Sequence, residues 1–215
     1  MKTLVKILGI LGICSTAMQI QAATVAGYTF ADNGFVDTLV SYNGDFLNYT
    51  SATSSDIISG SQLAADLTDG PTNGQNTYVL SLDPAASVQL GFSSVNVYNG
   101  AGNDLALFFV GLNSQFSMSL GGVSNSYTTI DTGYDVTDSF GTYALTVALV
   151  DLDDFGLAAN SSLGNFDVLL GDAGHPALSM VAAFNTGVAP VPLPAPLLLL
   201  LSGLAWLGMM GRRKA

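Results

Sequence analysis

Positive charge is what this sequence has least of. Only five Lys and Arg residues occur among its 215 residues, and all of them lie near the two ends, at Lys2, Lys6, Arg212, Arg213 and Lys214. The sixteen acidic residues are all Asp, and every one lies between those ends. The middle of the chain therefore has no basic side chain for an ion pair, and its charge repels nucleic acid and anionic lipid. We expect no nucleic-acid partner.

Cysteine and histidine are almost as scarce. Cys14 is the only cysteine and lies in an apolar N-terminal stretch, so the rest of the chain has no disulfide, thiol nucleophile or thiolate metal site. His175 is the only histidine and stands between Gly174 and Pro176. No Ser-His-Asp or Cys-His set can be assembled around it, and a zinc site would lack its usual ligands. These absences favour a protein that is not an enzyme.

The first 23 residues have the organisation of a secretory signal peptide. Two lysines precede the apolar run Ile7–Ile13, and mostly small or polar residues follow it. A basic start, an apolar core and a small-residue cleavage region are the three parts of such a signal. We therefore predict that residues 1–23 are a signal peptide, cleaved after Ala22 or Ala23.

The C-terminal residues 189–215 also fall into three parts. Residues 190–196 contain four prolines, which prevent a helix because proline lacks an N–H and favours extended geometry in the residue before it. Residues 197–211 carry no charge and predict a transmembrane helix, and residues 212–215 are mainly basic. At about 1.5 Å per residue the helix spans roughly 22 Å, short of the ~30 Å hydrocarbon core. It predicts a marginal membrane anchor.

The charges beside these two apolar segments predict a topology. Basic residues that flank apolar segments tend to stay on the cytoplasmic side of the membrane. Both ends of the chain are therefore expected on that side, with the acidic residues between them outside the cytoplasm. The prediction is an exported protein that passes through an inner-membrane intermediate.

The C-terminal segment resembles a known sorting signal. The motif Val191-Pro192-Leu193-Pro194-Ala195, the Leu-rich run with Ser202-Gly203-Leu204 and the basic end Arg212-Arg213-Lys214 occur together and in that order. This order is similar to the PEP-CTERM sorting signal of Gram-negative bacteria, in its Val-Pro-x-Pro-Ala variant. The alternative is a plain C-terminal membrane anchor.

The resemblance implies a processing partner and a final location. In the family an exosortase, which is a membrane cysteine protease-transpeptidase, cuts near the motif and releases or transfers the upstream domain. The family is associated with exopolysaccharide, biofilm or floc formation. The resemblance therefore implies a structural or adhesive protein of the cell surface or the extracellular matrix.

Residues 24–188 predict an all-β domain. Short runs rich in Val, Tyr, Phe, Thr and Leu alternate with turn-forming clusters of Gly, Asn, Asp and Ser. Such a pattern favours a single β-sandwich or jelly roll, with helical turns only at Ser61–Leu67 and Phe155–Ala159. Leu105–Val110 and Ala144–Val150 are almost wholly apolar and predict central strands buried on both faces. The predicted strands are Tyr28–Phe30, Val36–Tyr42, Phe46–Thr50, Thr77–Leu82, Ser87–Phe92, Val95–Tyr98, Leu105–Val110, Phe116–Leu120, Tyr127–Ile130, Thr142–Val150, Phe166–Leu170 and Leu178–Phe184.

Parts of this domain have a second, looser resemblance. Leu67-Thr68-Asp69-Gly70, followed by a strand that ends Leu90-Gly91-Phe92, is similar to galactose-binding-like jelly rolls. Together with Phe30–Val40, Tyr98–Leu105 and Val150–Gly156, these stretches look like the domains that commonly precede the sorting signal. Both resemblances imply a jelly-roll domain.

The aspartates suggest calcium as a cofactor. Asp151, Asp153 and Asp154 follow an apolar strand and precede Gly156, and alternating carboxylates beside a glycine turn suit the oxygen shell of Ca²⁺. Asp69 and Asp104 also lie beside glycines and are candidates for the same site or another. The alternative is that these residues only fill turns, where their side chains accept hydrogen bonds from nearby backbone.

Five tyrosines near predicted loops and strand ends suggest a carbohydrate partner. Exposed tyrosines stack on sugar rings, although in sandwiches most of them pack at the edges of the core. The candidates are Tyr42, Tyr49, Tyr98, Tyr127 and Tyr134. The main prediction is thus a surface or matrix protein, and the alternative is a Ca²⁺-stabilised carbohydrate-binding module. A third hypothesis, a hydrolase, requires two carboxylates about 5–9.5 Å apart in one cleft.

Overall fold

A computed structural model of the chain describes residues 22–48, 57–70, 77–137, 141–171 and 175–187. Nearly all of the predicted signal peptide, and the whole sorting segment 189–215, lie outside these residues. In the part of the chain that is described, no helix has the length and apolar character needed to cross a membrane. The signal peptide and the transmembrane helix therefore stay predictions.

The described residues form mainly β-structure, as the sequence predicts. One α-helix, α1, covers Gly60–Leu67, and a short 3-10 helix covers Leu152–Phe155. The strands are β1 (Ala22–Val25), β2 (Tyr28–Ala31), β3 (Thr38–Asn43), β4 (Leu47–Asn48), β5 (Val79–Leu80), β6 (Ser87–Gly91), β7 (Leu105–Val110), β8 (Gln115–Leu120), β9 (Val123–Thr128), β10 (Ile130–Thr137), β11 (Thr142–Val150), β12 (Phe166–Leu169) and β13 (Ala177–Ala183).

The strands form two larger sheets and one hairpin. The six-stranded sheet has the order β10-β11-β7-β13-β5-β4, and the five-stranded sheet has the order β3-β6-β12-β8-β9. Among the residues that the structure describes, strands β1 and β2 pair only with each other. Every pairing between these strands is antiparallel.

The two sheets share one hydrophobic core. In β6, Val88 and Leu90 are buried while Ser87 and Gln89 are partly exposed, so one face of the strand is apolar and the other polar. Strand β8 alternates in the same way around buried Phe116 and Met118. These alternations were the sequence signal for a sheet with one solvated face, and the structure confirms it. Each large side chain that is fully buried here contributes about 1.5–3 kcal/mol.

The other face of the six-stranded sheet is covered by the β1–β2 hairpin. Phe30 of the hairpin packs edge-on against Phe108 of β7, with ring centroids 6.0 Å apart, and lies 4.9 Å from the ring of Phe184. Every residue of β7 is consequently buried. The prediction that Leu105–Val110 is a central strand buried on both faces is confirmed.

Helix α1 begins and ends at side chains that satisfy its backbone. The Ser59 hydroxyl accepts a hydrogen bond from the backbone N–H of Gln62, as an N-cap residue does. At the other end the N–H and the hydroxyl of Thr68 both donate to the carbonyl oxygen of Ala64, at 3.1 and 2.7 Å. Gly70 then adopts a φ of +64°, which turns the chain away from the helix. Asp69, between Thr68 and Gly70, lines the site described below.

Several elements differ from the sequence-based expectation. Val95–Tyr98 was predicted as a strand but makes only isolated bridges, because the backbone of Tyr98 pairs with Ser162 and that of Val97 with Thr186. The helical turn predicted at Phe155–Ala159 occurs earlier, at Leu152–Phe155, because Asp151 caps it there.

The predicted strand Tyr127–Ile130 is wrong in its bounds, because it covers the end of β9, residue Thr129 and the first residue of β10. The rest of β10 escapes prediction because Asp131 and Gly133 are typical of a turn, and they form a β-bulge instead. Strand β1 begins at Ala22 and therefore crosses the predicted signal-peptide boundary.

Candidate functional site

The three aspartates predicted to bind calcium lie around the 3-10 helix, each with a different partner. Asp151 caps the helix by accepting a hydrogen bond from the N–H of Asp153, 2.9 Å away. Asp153 Oδ1 accepts from the side-chain amide of Asn99 at 2.7 Å, and Asp154 Oδ2 accepts from the Tyr127 hydroxyl at 3.1 Å. The contacts fit the alternative in which these residues stabilise a turn.

Asp104 is completely buried beside this helix, at the start of β7. Its Oδ1 accepts hydrogen bonds from the N–H of Gly100 and the side-chain amide of Asn185, both at 2.7 Å. Its Oδ2 accepts from the N–H of Leu152 at 2.9 Å. Burying a carboxylate is costly unless it is hydrogen-bonded, and these three donors meet that need without a cation. Asp104 therefore ties three separate segments of the chain together.

Asp69 lies elsewhere, in the turn after α1, so the five predicted calcium ligands do not converge on one point. Among the described residues, no group of three Asp, Glu, His or Cys side chains is arranged to hold a metal ion. Calcium binding stays a prediction.

A cleft of about 590 Å³ brings other carboxylates together. It lies between the β1–β2 hairpin, the segment that joins β2 to β3, and the turn after α1. We call it the acidic cleft, and its lining residues are Ala23, Asp32, Asn33, Phe35, Val36, Asp37, Thr68, Asp69, Gly70 and Ser94.

Asp37 is the firmly ionised carboxylate of the acidic cleft. Its two oxygens accept hydrogen bonds from the N–H groups of Ser93 and Ser94, at 2.6 and 2.7 Å, and Oδ1 also accepts from the Thr38 hydroxyl. Burial alone would raise the pKa of Asp37, but hydrogen bonds from Ser94, Ser93 and Thr38 outweigh it and lower the pKa to about 2.

Asp69 differs from Asp37 in that its pKa is raised and one of its oxygens lacks a hydrogen bond. Burial raises its pKa to about 6, and the negative charge of Asp66 adds to that rise, although a hydrogen bond with Thr77 opposes it. Its Oδ1 is buried and has no hydrogen-bond partner in the described residues. The acidic cleft thus contains one carboxylate that is fully satisfied and one that is not. Two carboxyls with pKa values driven apart are also what acid–base chemistry requires.

A second cavity, of about 310 Å³, lies on the outer face of the six-stranded sheet. We call it the tyrosine cavity because Tyr78 and Tyr143 are among its lining residues. Leu112, at its rim, is 90% exposed. His175 also lines it, with Nδ1 3.1 Å from the carbonyl oxygen of Ser81. The remaining lining residues are Leu80, Val110, Gly111, Ser114 and Ala177.

The five tyrosines singled out from the sequence are not brought together. Tyr42 and Tyr134 are about half exposed, but they lie on edge strands of different sheets. Tyr127 packs on Phe116, with ring centroids 5.9 Å apart, and burial is the main cause that raises its pKa. Tyr98 forms an isolated bridge, and Tyr49 lies outside the described residues.

Sequence reasoning missed Asp32, Asp37, Tyr78 and Tyr143. The tyrosines lie inside correctly predicted strand regions, and they share a cavity only because β5 and β11 belong to the same sheet. Asp37 and Asp69 are far apart in sequence, and no local pattern signals that they line one cleft.

Comparisons with known proteins give little further information. No protein-family model matches the chain, and no curated protein matches it. Among solved structures, it is similar to an exo-β-1,3-galactanase from Phanerochaete chrysosporium determined with β-1,3-galactotriose. The two are 15% identical, the match covers 74% of this chain and 31% of that chain, and the TM-score is 0.40.

Proposed function

We propose that this chain is an exported, non-enzymatic protein of the cell surface or extracellular matrix, with a structural or adhesive role. In this proposal a signal peptide and a PEP-CTERM-like segment flank one β-sandwich domain. An exosortase processes the chain from an inner-membrane intermediate, and exopolysaccharide is the expected partner outside the cell.

One observation carries the proposal: every Lys and Arg lies beside one of the two terminal apolar segments. That distribution fits a chain whose two ends face the cytoplasm while the domain between them is exported. The apolar run at residues 197–211 is too short for a strong anchor, which suits a temporary stop in the membrane.

The hydrogen bonds of the aspartates support the acidic product that this processing would leave. Asp37, Asp104 and Asp151 all accept hydrogen bonds from backbone N–H groups. Carboxylates held in this way need no lysine or arginine partner. Loss of the basic terminal segments is therefore compatible with the fold.

The test is the identity of the mature C-terminus. The full chain is produced in a bacterium that contains an exosortase, and the recovered protein is measured by intact mass spectrometry. We expect a C-terminus near the Pro192-Leu193-Pro194 motif. A protein that still ends at Ala215 would refute processing.

The four prolines of the segment provide a matched pair of variants. Changing Pro192 and Pro194 to Ala removes the motif, whereas changing Pro190 and Pro196 to Ala removes as many prolines outside it. We expect the first variant to remain uncut in the membrane and the second to be processed. Equal processing of both would show that the motif is not what is recognised.

A carbohydrate-binding module is the second candidate, favoured by the tyrosine cavity. Tyr143 is partly exposed and offers aromatic surface in the same cavity as the exposed side chain of Leu112, while Tyr78 is buried in the cavity wall. An exposed aromatic ring beside an apolar side chain suits a sugar ring. A glycan array at millimolar Ca²⁺ tests it. Saturable binding that is lost in Tyr143→Ala but kept in Tyr134→Ala, the exposed control, would support the module. An array without specific binding would favour the matrix role.

A further inference from the structure

The acidic cleft contains part of the predicted signal-peptide cleavage region. Ala23 of β1 lines it together with Asp32, Asp37 and Asp69. In the hairpin, Ala22 pairs with Ala31 and Ala23 pairs with Phe30. Asp32 therefore directly follows the residue that faces Ala22. The predicted cleavage bond and three carboxylates meet at one place in the fold.

A cut at this place would create a positive charge. A signal peptidase that hydrolyses the Ala22–Ala23 bond adds water across it: the carboxylate stays on the signal peptide, and the nitrogen of Ala23 becomes a free amine. That amine takes a proton from solvent, because an α-amino group has a pKa of about 7.7–8.0. Residues 23–187 contain no Lys or Arg, so apart from His175 it would be the only group there that can carry a positive charge.

We propose that cleavage after Ala22 places the new α-ammonium group of Ala23 in the acidic cleft, where it pairs with Asp32 and Asp69 and completes the mature fold. The inference rests on the proposed export, since it requires removal of the signal peptide. The occupant of the cleft is then the chain's own N-terminus.

Asp69 is the carboxylate that most needs such a partner. Its Oδ1 is buried and accepts no hydrogen bond in the described residues, and an ammonium group has three N–H donors to offer. The raised pKa of Asp69 has the same cause, since its anion is poorly stabilised where it stands. Asp37, whose oxygens already accept three hydrogen bonds, adds negative charge to the cleft.

The geometry also sets an order of events. In the hairpin the residues on both sides of the Ala22–Ala23 bond are paired with β2. Strand pairing uses the backbone groups that a protease must reach in an extended substrate. Cleavage must therefore precede closure of the hairpin over Phe108, and closure then brings the new amine to the carboxylates.

The chain's lack of lysine makes a clean test possible. The full chain with Lys214→Arg is exported in a bacterium without exosortase and purified from its membranes, so that the α-amine is the only amine left once the signal peptide is gone. It is treated with an acetylating reagent at neutral pH. We expect acetylation to be slower than for a free α-amine, by about tenfold for each unit by which pairing raises the pKa of the amine. We also expect the acetylated protein, which has lost this charge, to melt about 2–4 °C lower than the unmodified protein.

Two variants of this protein show whether the cleft is responsible. With Asp32→Asn and Asp69→Asn together, acetylation should be several-fold faster and should leave the melting temperature unchanged. Asp135→Asn, an exposed aspartate on β10, is the matched control and should behave like the parent. Equal rates and equal melting shifts in all three proteins would overturn the inference.

The first residue of the purified protein separates this inference from the proposed function. A chain that still begins at Met1 would refute export itself. A chain that begins at Ala23 but is unaffected by acetylation would overturn only the pairing in the cleft, as would a mature chain that begins at Thr24. If EDTA lowers the melting temperature of the parent but not that of the Asp32→Asn, Asp69→Asn variant, and acetylation lowers neither, a divalent cation occupies the cleft and the inference is wrong.

Discussion

Asp104 and Asp69 occupy contrasting environments in a domain without basic side chains. Asp104 lies at the end of a central strand, completely buried, and its two oxygens accept three hydrogen bonds from N–H donors. Asp69 lies in the acidic cleft, less deeply buried, with one oxygen unpartnered and a pKa raised to about 6. Asp104 therefore has enough N–H donors for both of its oxygens, whereas Asp69 does not.

The difference indicates what each residue is for. A completely buried carboxylate whose hydrogen bonds join three chain segments stabilises the fold and is not accessible to an outside partner. A carboxylate left under-satisfied in a cleft lowers stability unless something else binds it. Structural and interacting aspartates can therefore be told apart here by their donors.

The largest expected effect comes from Asp104→Ala. The change leaves the buried N–H of Leu152 and the partly buried N–H of Gly100 without an acceptor, and an unsatisfied buried donor costs about 1–3 kcal/mol. We expect a loss of about 3–4 kcal/mol in the free energy of unfolding and a melting temperature lower by roughly 10 °C. Thermal melts of the variant and of Asp135→Ala check this. A loss in the Asp104 variant no larger than in that exposed control would contradict the structural role.

The next largest effect is a gain in the free energy of unfolding, and it depends on pH. In the N-terminally acetylated protein, Asp69→Asn should raise the unfolding free energy at pH 7 by about 1 kcal/mol, less than the full pKa shift implies because solvent screens the carboxyl. The folded-state pKa of about 6 lies above the usual 3.8, so ionisation costs stability above pH 6, and that cost disappears as the pH falls toward 4.

Melting curves between pH 4 and pH 7.5 measure this dependence. The acetylated parent should gain stability on acidification relative to Asp69→Asn, and the two should converge near pH 4. With a free α-amine the gain from the substitution should shrink. If the acetylated parent and Asp69→Asn differ by the same amount at every pH, the ionisation of Asp69 does not lower the stability of the fold.

A smaller loss is expected from Asp151→Ala. The substitution removes the cap of the 3-10 helix, which costs about 1 kcal/mol for caps of this kind. The loss should be the same with EDTA and with millimolar Ca²⁺ if Asp151 only caps. A stabilisation by Ca²⁺ that this variant loses would instead support the calcium prediction.

Tyr127→Phe should have the smallest effect. It removes one hydrogen bond to Asp154, at 3.1 Å near the surface, and keeps the ring stacked on Phe116. We expect a loss of about 0.5 kcal/mol. Burial, and then the hydrogen bond to Asp154, raise the pKa of Tyr127, so the variant should also lack one late ionisation at the alkaline end of an absorbance titration.

The sequence predicts the fold better than it predicts the sites. Strand β7 has the bounds that its apolar run Leu105–Val110 indicates, because burial on both faces requires an unbroken apolar run. Strand β11 also has its predicted bounds, Thr142–Val150, although its first three residues are not buried. Most of strand β10 escaped prediction because its bulge residues are typical of a turn. The sites depend on contacts between segments far apart in the chain: Asp37 and Asp69 meet through the packing of α1, which no local spacing encodes.

The place of β13 in the six-stranded sheet has a consequence for the order in which the chain can fold. This strand is the last of the described elements in sequence, yet it lies between β7 and β5, near the middle of the sheet. If the chain is exported as proposed, its six-stranded sheet has a gap between β7 and β5 until residue 183 has emerged from the translocation channel. Folding that waits for such distant contacts is slow. Until then β7 and β5 present unpaired strand edges that chaperones can bind.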